Sequence, residues 1–68
     1  MSLSKILLNE VISKGEIGLQ DVYDICDLVG RKHDNASRRL RELMANQLIE
    51  PIKNKDGAII AYRSKPLR

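Results

Sequence analysis

The stretch "VGRKHDNASRRLREL", from Val29 to Leu43, is the most informative part of this chain about its fold. A glycine near its start closes one helix pattern, and a second helix pattern follows after a short basic turn. In the second pattern apolar residues recur at helical spacing with arginines between them, and we predict a helix over residues 33–47. Two helices joined by a short glycine-containing turn are typical of a helix-turn-helix unit. The residues predicted to face the domain are Ala36, Leu40, Leu43, Met44 and Gln47.

The helix before this turn is predicted over residues 21–29. Asp21 is expected to be its N-cap, with Asp24 three residues later as an imperfect capping box. Gly30 ends the helix, because glycine readily adopts the left-handed conformation that follows a helix. Cys26 is expected to be a small buried side chain on this helix. The predicted buried face comprises Val22, Ile25, Cys26 and Val29.

A first helix is predicted over residues 3–14, where Leu3, Leu7 and Val11 recur at helical spacing. Leu8 and Ile12 form a second apolar stripe beside that face. The stripe either packs within the domain or covers a partner subunit. Leu8 and Ile12 are therefore the candidate dimer contact.

The last third of the chain changes to a strand-like pattern. The runs "LIEPIK" and "AIIAYR" are rich in isoleucine, and the "NKDG" between them contains Asp56-Gly57, a strong hairpin signal. We predict a two-stranded hairpin over residues 49–63. Pro51 indicates that its first strand is short or lies at a sheet edge.

Two shorter segments complete the prediction. Ile17 and Leu19 alternate with polar or small residues, a pattern that predicts a very short third strand there. Residues 64–68 form a basic tail that we expect to be frayed. The order of helix, short strand, two helices and hairpin predicts a single domain of the α+β class over residues 1–68.

Charge is distributed unevenly along the chain, whose formal net charge is +3. Residues 1–30 contain two lysines and five acidic residues, a net charge of −3, whereas residues 31–68 contain ten basic and four acidic residues, a net charge of +6. A small domain polarised in this way presents one face to an anion and turns the other away.

Several function classes are excluded by composition. Cys26 and His33 are the only residues of their types, so neither a disulfide framework nor a metal cluster is expected, and we expect no cofactor. The sequence contains no nucleophile–base pair and no glycine-rich phosphate loop, so we expect no enzyme. Its start, "MSLSKILLNEVISK", fits neither a membrane span nor a signal peptide, and we expect a cytoplasmic protein.

From Asp21 to Arg63 the chain resembles the winged helix-turn-helix DNA-binding domains of bacterial, archaeal or viral transcription regulators. The resemblance rests on "DVYDICDLVG", then "NASRRLRELMANQLI", then a hairpin ending in "AYR". It implies a supporting helix, a recognition helix that enters the DNA major groove, and a hairpin that serves as the wing.

Two positions depart from the pattern of that family. Lys32 stands where a small hydroxyl residue often caps the recognition helix, so the cap either moves to Asp34 or is left to water. Gln47 stands where a glycine is common, so the turn from helix to strand is expected to differ.

Three residues of the predicted recognition helix are candidates for base readout. Arg38 lies almost opposite the apolar face, and arginine can make two parallel hydrogen bonds to guanine. Asn35 can pair in a similar way with adenine, and Ser37 can contact a base or a phosphate. The alternative for Arg38 is an arginine on a solvated helix face.

Five further basic residues are candidates for contacts with the DNA backbone. Arg31, Lys32 and Arg41 flank the readout positions and are expected to bind phosphates, which gives affinity without sequence information. Lys53 and Lys55 lie on the hairpin, where the resemblance implies contacts to the backbone or the minor groove. Their alternative role is to protect an exposed strand edge from aggregation.

The roles of three other polar residues are left open by the sequence. His33 is expected to be a surface or capping histidine rather than a DNA contact. Glu42 either orients Arg38, four residues before it, or joins Asp34 in repelling some DNA sequences.

These observations predict a sequence-specific, double-stranded DNA-binding transcriptional regulator that acts as a homodimer, with no small-molecule effector. The alternative is a winged-helix protein-interaction module that uses the acidic first half and the stripe of Leu8 and Ile12.

Overall fold

The computed structural model describes residues 2–65, which form three α-helices and a three-stranded antiparallel sheet. The predicted α+β class, the hairpin and the short third strand are therefore confirmed, although Leu19, expected in that strand, begins the second helix instead. The expectation of a frayed basic tail is wrong for its first two residues, because Ser64 ends the last strand and the Lys65 amide donates to the Leu48 carbonyl at 3.1 Å. Residues 66–68 lie outside the described part of the chain. The elements are α1 (Leu3–Lys14), β1 (Glu16–Gly18), α2 (Leu19–Leu28), α3 (His33–Ala45), β2 (Ile49–Lys53) and β3 (Ile59–Ser64).

Helix α1 spans the residues predicted for it. Its N-cap is Ser2, whose Oγ accepts a hydrogen bond from the Lys5 amide at 3.3 Å. At its other end the Gly15 amide donates to the Val11 carbonyl at 2.7 Å, with φ of Gly15 at 86°. A φ in this range suits glycine because a Cβ atom would strain the backbone there.

Helix α2 begins two residues earlier than the prediction, so the role expected for Asp21 as N-cap is wrong. Asp21 is instead the third residue of the helix, and its Oδ2 accepts from the Gly18 amide at 3.0 Å. Asp24 does not complete a capping box, since its carboxylate accepts from the Gln20 side chain at 3.0 Å. An acid at the third helical position and an acid at the N-cap both accept hydrogen bonds from free backbone amides at the start of the helix. The sequence pattern therefore does not distinguish the two positions.

The C-terminal end of α2 is closed by a left-handed glycine, as the sequence predicts. Gly30 has a φ of 70°, its amide donates to the Asp27 carbonyl, and the Arg31 amide donates to the Cys26 carbonyl at 2.9 Å. This pair of bonds is the Schellman arrangement. Because the helix ends at Leu28, Val29 leaves the buried face and is 39% exposed, so its predicted place in the core is wrong.

Helix α3 closes in the same way without a glycine. It ends at Ala45, two residues before the predicted end, and the residue in the left-handed conformation is Gln47, with a φ of 59°. The Gln47 amide donates to Met44 and the Leu48 amide donates to Leu43, both at 3.0 Å. The expectation of a different turn at Gln47 is therefore wrong, because Gln47 adopts the left-handed conformation that glycine usually takes there. Its predicted place on the packed side is wrong as well, since Gln47 is exposed.

The sheet has the strand order β1-β3-β2, so β3 is the central strand. Strand β2, which contains Pro51, lies at an edge as predicted. Tyr62 of β3 is paired with Ile17 on one side and with Pro51 on the other. A bulge between Ile52 and Lys53 shifts the register toward the hairpin turn.

The core lies between the helices and the inner face of the sheet. Leu8 is half-buried and packs against it, so the part of the second α1 stripe nearest the core lies within the domain. Ile12 stays 62% exposed. Burial of a leucine side chain contributes about 2 kcal/mol to stability, which makes this cluster the main source of stability in so small a chain. The buried residues are Leu3, Leu7, Val11, Ile17, Val22, Ile25, Cys26, Ala36, Leu40, Leu43, Ile49 and Tyr62.

The expectation that Cys26 is buried is confirmed, and Tyr62 of β3 is a further core residue. Cys26 is fully buried and Tyr62 is 7% exposed, where it closes the hairpin against the helices. Burial raises the pKa of the Cys26 thiol, and the charge of Asp27 adds to this shift. Burial also raises the pKa of the Tyr62 phenol, with a further contribution from Tyr23. Within residues 2–65, no helix is both long and apolar enough to cross a membrane.

Candidate nucleic-acid interface

The turn between α2 and α3 is exposed along its whole length. Every residue from Asp27 to Asp34 is exposed, and buried side chains resume only at Ala36. Hydrogen bonds of the backbone hold the turn to the end of α2. Arg31 and Lys32 therefore stand in solvent immediately before the first residue of α3.

The N-terminal end of α3 has no side-chain cap among the described residues. Lys32 occupies the N-cap position with φ −73° and ψ 150°, and the cap does not move to Asp34. The Asn35 amide donates to the Lys32 carbonyl at 3.1 Å. The amides of a first helical turn carry partial positive charge, so this exposed end favours an approaching anion, whereas Asp34 in the same turn opposes one.

His33, the first residue of α3, is held by two residues of α2. Its ring stacks on the ring of Tyr23, with centroids 4.4 Å apart and planes 16° apart. Its Nε2 donates to the carboxylate of Asp27 at 3.1 Å. The expectation of a surface histidine is confirmed. No sequence pattern indicates its two partners, because both lie on another helix.

The exposed side of α3 carries three of the predicted DNA contacts. Ser37, Arg38 and Arg41 are exposed, while Asn35 is half-buried at the border of the packed side. The opposite side is anchored in the core by its buried apolar residues, which comprise Ala36, Leu40 and Leu43. The helix thus presents a fixed row of polar side chains to solvent.

The third arginine of this helix has a different environment. Arg39 is half-buried, and its Nη1 donates to Oε1 of Glu42 at 2.9 Å. Arg39 therefore lies toward the packed side of α3, and the hypothesis that Glu42 orients Arg38 is wrong, because Glu42 pairs with Arg39. Residues three and four apart on a helix are both neighbours, so the sequence alone could not choose between the two arginines.

The β2–β3 hairpin presents Lys53 and Lys55 on a turn organised by Asn54. The Asn54 Oδ1 accepts from the amides of Asp56 at 2.9 Å and Ala58 at 3.0 Å. Both lysines are exposed. The sequence signal at Asp56-Gly57 located the turn, but it missed Asn54, whose type is common at the first position of turns for this reason.

Ion pairing separates the basic residues into two groups. Within residues 2–65, the pairs are Lys14 with Glu10, His33 with Asp27, Arg39 with Glu42 and Arg63 with Glu50. Arg63 is thus neutralised and does not extend the positive field, and it also faces Glu16 across the sheet. None of the basic residues predicted to contact DNA takes part in an ion pair within the described chain: Arg31, Lys32, Arg38, Arg41, Lys53 and Lys55.

A further exposed apolar residue lies at the end of α2, where no sequence pattern indicates it. Leu28, at the end of α2, is 86% exposed, more than Ile12 on α1. The apolar residues of α2 that repeat at helical spacing face the core. Leu28 does not belong to that repeat, so the pattern does not indicate where its side chain lies.

No protein-family model, no curated protein and no solved structure matches this chain.

Proposed function

We propose that this chain is a winged helix-turn-helix domain that binds double-stranded DNA in a sequence-specific way and acts as a transcriptional regulator. In this proposal α2 and α3 are the helix-turn-helix unit, α3 is the recognition helix, and the β2–β3 hairpin is the wing. The observation that carries the proposal is the separation of charges. The basic residues of the turn, of the exposed side of α3 and of the hairpin have no ion-pair partner within residues 2–65, whereas Lys14, Arg39 and Arg63 do. Lys5 and Lys65 are also unpaired among the described residues, so the proposed surface carries six of the eight unpaired lysines and arginines.

The bases are read by the exposed side of α3 in this proposal. Arg38 is the principal reader, because its guanidinium is exposed and unpaired within the described chain and matches the O6 and N7 acceptors of guanine. Ser37 stands beside it. Asn35 is half-buried, so its reach is limited to a base at the edge of the contact.

Phosphates are bound around this row. Arg31 and Lys32 precede α3 at its positive end, and Arg41 lies one turn beyond Ser37. Lys53 and Lys55 contact the backbone from the wing, which the Asn54 turn holds in shape. Such contacts fix the register of the protein on the duplex and make its affinity dependent on salt.

A homodimer suits a domain that covers few base pairs. Two recognition helices of a dimer reach half-sites about 34 Å apart, one turn of DNA. Because Leu8 packs on the core of its own domain, Ile12 is the residue of the predicted contact that remains available to a partner subunit.

The experiment that tests the proposal is selection of bound sequences from a pool of random duplexes. We expect a consensus made of two related half-sites, with a guanine at one position of each half-site. The same selection with Arg38→Ala should lose the preference at that position and keep the others. A pool that shows no enrichment over its starting composition would contradict the proposal.

The exposure of Leu28 favours a second candidate, a protein-interaction module. An exposed leucine beside acidic Asp24 and Asp27 is complementary to an apolar and basic partner surface. A titration with labelled duplexes at low salt distinguishes the two candidates. Binding to DNA that is unchanged in Leu28→Ser favours the regulator, and a chain that binds no duplex favours the module.

A further inference from the structure

Asp27 lies where a DNA-binding surface would be expected to avoid a negative charge. Its side chain is 70% exposed, and it precedes the turn that carries Arg31 and Lys32 by a few residues. A carboxylate there repels the phosphates that the turn is proposed to bind. Its presence therefore calls for a physical reason.

The contacts of Asp27 supply such a reason. Its Oδ1 accepts a hydrogen bond from Nε2 of His33 at 3.1 Å. The same His33 ring also stacks on the ring of Tyr23, with centroids 4.4 Å apart. Tyr23 and Asp27 are four residues apart on α2, so they project from the same side of the helix. The two side chains together hold the ring of the first residue of α3.

The first turn of α3 has few other attachments. The residues from Asp27 to Asp34 are all exposed, so no buried side chain fixes this segment between Cys26 and Ala36. The backbone bonds at Gly30 and Arg31 hold the turn to α2, but they end before α3 begins. Within residues 2–65, the side-chain hydrogen bond and the aromatic stack that link α2 to the first turn of α3 both use His33.

We propose that Tyr23 and Asp27 are positioning residues for the DNA-contacting end of α3. Acting through His33, they order the first turn before DNA arrives, so that its amides and the adjacent Arg31 and Lys32 meet phosphates without a further loss of conformational entropy. This inference rests on the proposed function, since it names residues that prepare the same surface.

A positioning role and a purely electrostatic role of Asp27 predict opposite effects of Asp27→Ala on the affinity for DNA. If Asp27 acted only through its charge, Asp27→Ala would remove a repulsion and tighten DNA binding. If Asp27 positions α3, the same change loosens the first turn and weakens binding. The direction of the change in Kd therefore separates the two.

The matched control is Asp24→Ala. Asp24 is also exposed on α2, and its carboxylate bonds only to Gln20 of the same helix among the described residues. Titrated against one duplex at one salt concentration, Asp24→Ala should bind as tightly as the parent or more tightly. Asp27→Ala should bind about threefold to tenfold more weakly. Equal or tighter binding by Asp27→Ala overturns the proposal.

Conservative variants provide the rescue. Asp27→Asn keeps an acceptor for His33 and should restore the affinity lost in Asp27→Ala. Tyr23→Phe keeps the stacked ring and should bind like the parent, whereas Tyr23→Ala should bind more weakly. Weak binding by both Asp27→Asn and Tyr23→Phe would contradict a role exerted through the contacts with His33.

A measurement without DNA keeps this inference separate from the proposed function. Backbone 15N relaxation reports order at each amide on the fast timescale of local motion. Asp27→Ala and Tyr23→Ala should lower the order parameters of residues 33–35 and leave those of α1 unchanged. Unchanged order at residues 33–35 overturns the positioning role. If the parent binds no duplex, the proposed function fails, and lowered order at these residues still supports the role of the His33 contacts.

Discussion

Arg39 and Glu42 form an ion pair along α3, with Nη1 and Oε1 2.9 Å apart. This pair neutralises one of the three arginines that stand within four residues of sequence. It also compensates the one acid in the middle of a helix that is proposed to face DNA. The side chains of Arg38 and Arg41 are exposed to solvent and can interact with an anion that approaches the helix.

The two neighbouring arginines should therefore differ when each is replaced by alanine. Arg38→Ala should cost about 1–3 kcal/mol of binding to a selected site and relax specificity at one base pair. Arg39→Ala should weaken binding to all duplexes alike, because it leaves Glu42 uncompensated near the phosphates. Competition titrations with selected and random duplexes measure both effects. Equal loss of specificity in the two variants would contradict the separate roles.

Gln47 gives a prediction about stability. It adopts a φ of 59°, where a residue with a Cβ atom is strained and glycine is not. Gln47→Gly should therefore stabilise the chain by about 0.5–1 kcal/mol, measured by urea unfolding with an unchanged m-value. Asn46→Gly is the control, since Asn46 has an ordinary φ of −85° and gains nothing from glycine. A Gln47→Gly variant less stable than the parent would show that the turn is not strained.

Alkaline pH should destabilise the fold through two buried groups. Burial raises the pKa of the Cys26 thiol and of the Tyr62 phenol, so the folded chain holds both protons more tightly than the unfolded chain. The stability that follows is complete below the ordinary pKa of each group and is lost as pH rises through the raised value. For the thiol this loss begins at about pH 8.5, and for the phenol at about pH 10.

The measurement is the free energy of unfolding between about pH 7 and pH 11, a range that spans both ordinary pKa values. Cys26→Ala should lower stability at neutral pH by loss of packing, and it should flatten the decline that begins near the pKa of the thiol. A decline of the same slope in Cys26→Ala would assign the alkaline loss to other groups.

The hairpin contains both a structural residue, Asn54, and a proposed DNA-contact residue, Lys55. Asn54→Ala removes the acceptor of two amide hydrogen bonds and should cost about 1 kcal/mol of stability. Lys55→Ala should leave stability within about 0.5 kcal/mol of the parent. It should also reduce the salt dependence of DNA binding by about one unit of slope. Thermal unfolding and duplex titrations over a range of salt concentrations measure the two. Lys55→Ala with an unchanged slope would remove the wing from the proposed contact.

The sequence predicts the elements of this fold well, because they follow from local periodicity and turn chemistry. Helix α1 and the hairpin turn at Asp56-Gly57 lie where the pattern places them. The start of α2 and the C-terminal end of α3 are predicted less accurately. Asp21 accepts its capping hydrogen bond from inside α2, and Gln47 adopts a conformation usual for glycine. In both cases the same local sequence is compatible with two backbone geometries, and the sequence pattern alone does not show which one forms.

The candidate site was predictable only in part. The exposure of Arg38 and Arg41 follows from their angle to the buried side of α3, which helical spacing fixes. The contacts of His33 could not be predicted, because they depend on how α2 and α3 meet across the turn. The pairing of Glu42 with Arg39 depends on side-chain conformations that sequence spacing leaves open.

The most direct test of the central claim is the salt dependence of binding to a labelled DNA duplex. Five proposed phosphate contacts, at Arg31, Lys32, Arg41, Lys53 and Lys55, predict a slope of log K against log salt of about −4 to −5 for each subunit. Arg41→Ala should reduce the magnitude of that slope by about one unit. Lys14→Ala is the control and should leave the slope unchanged, since Lys14 is paired with Glu10. A chain that binds no duplex at about 50 mM salt, or whose binding does not respond to salt, would contradict the account.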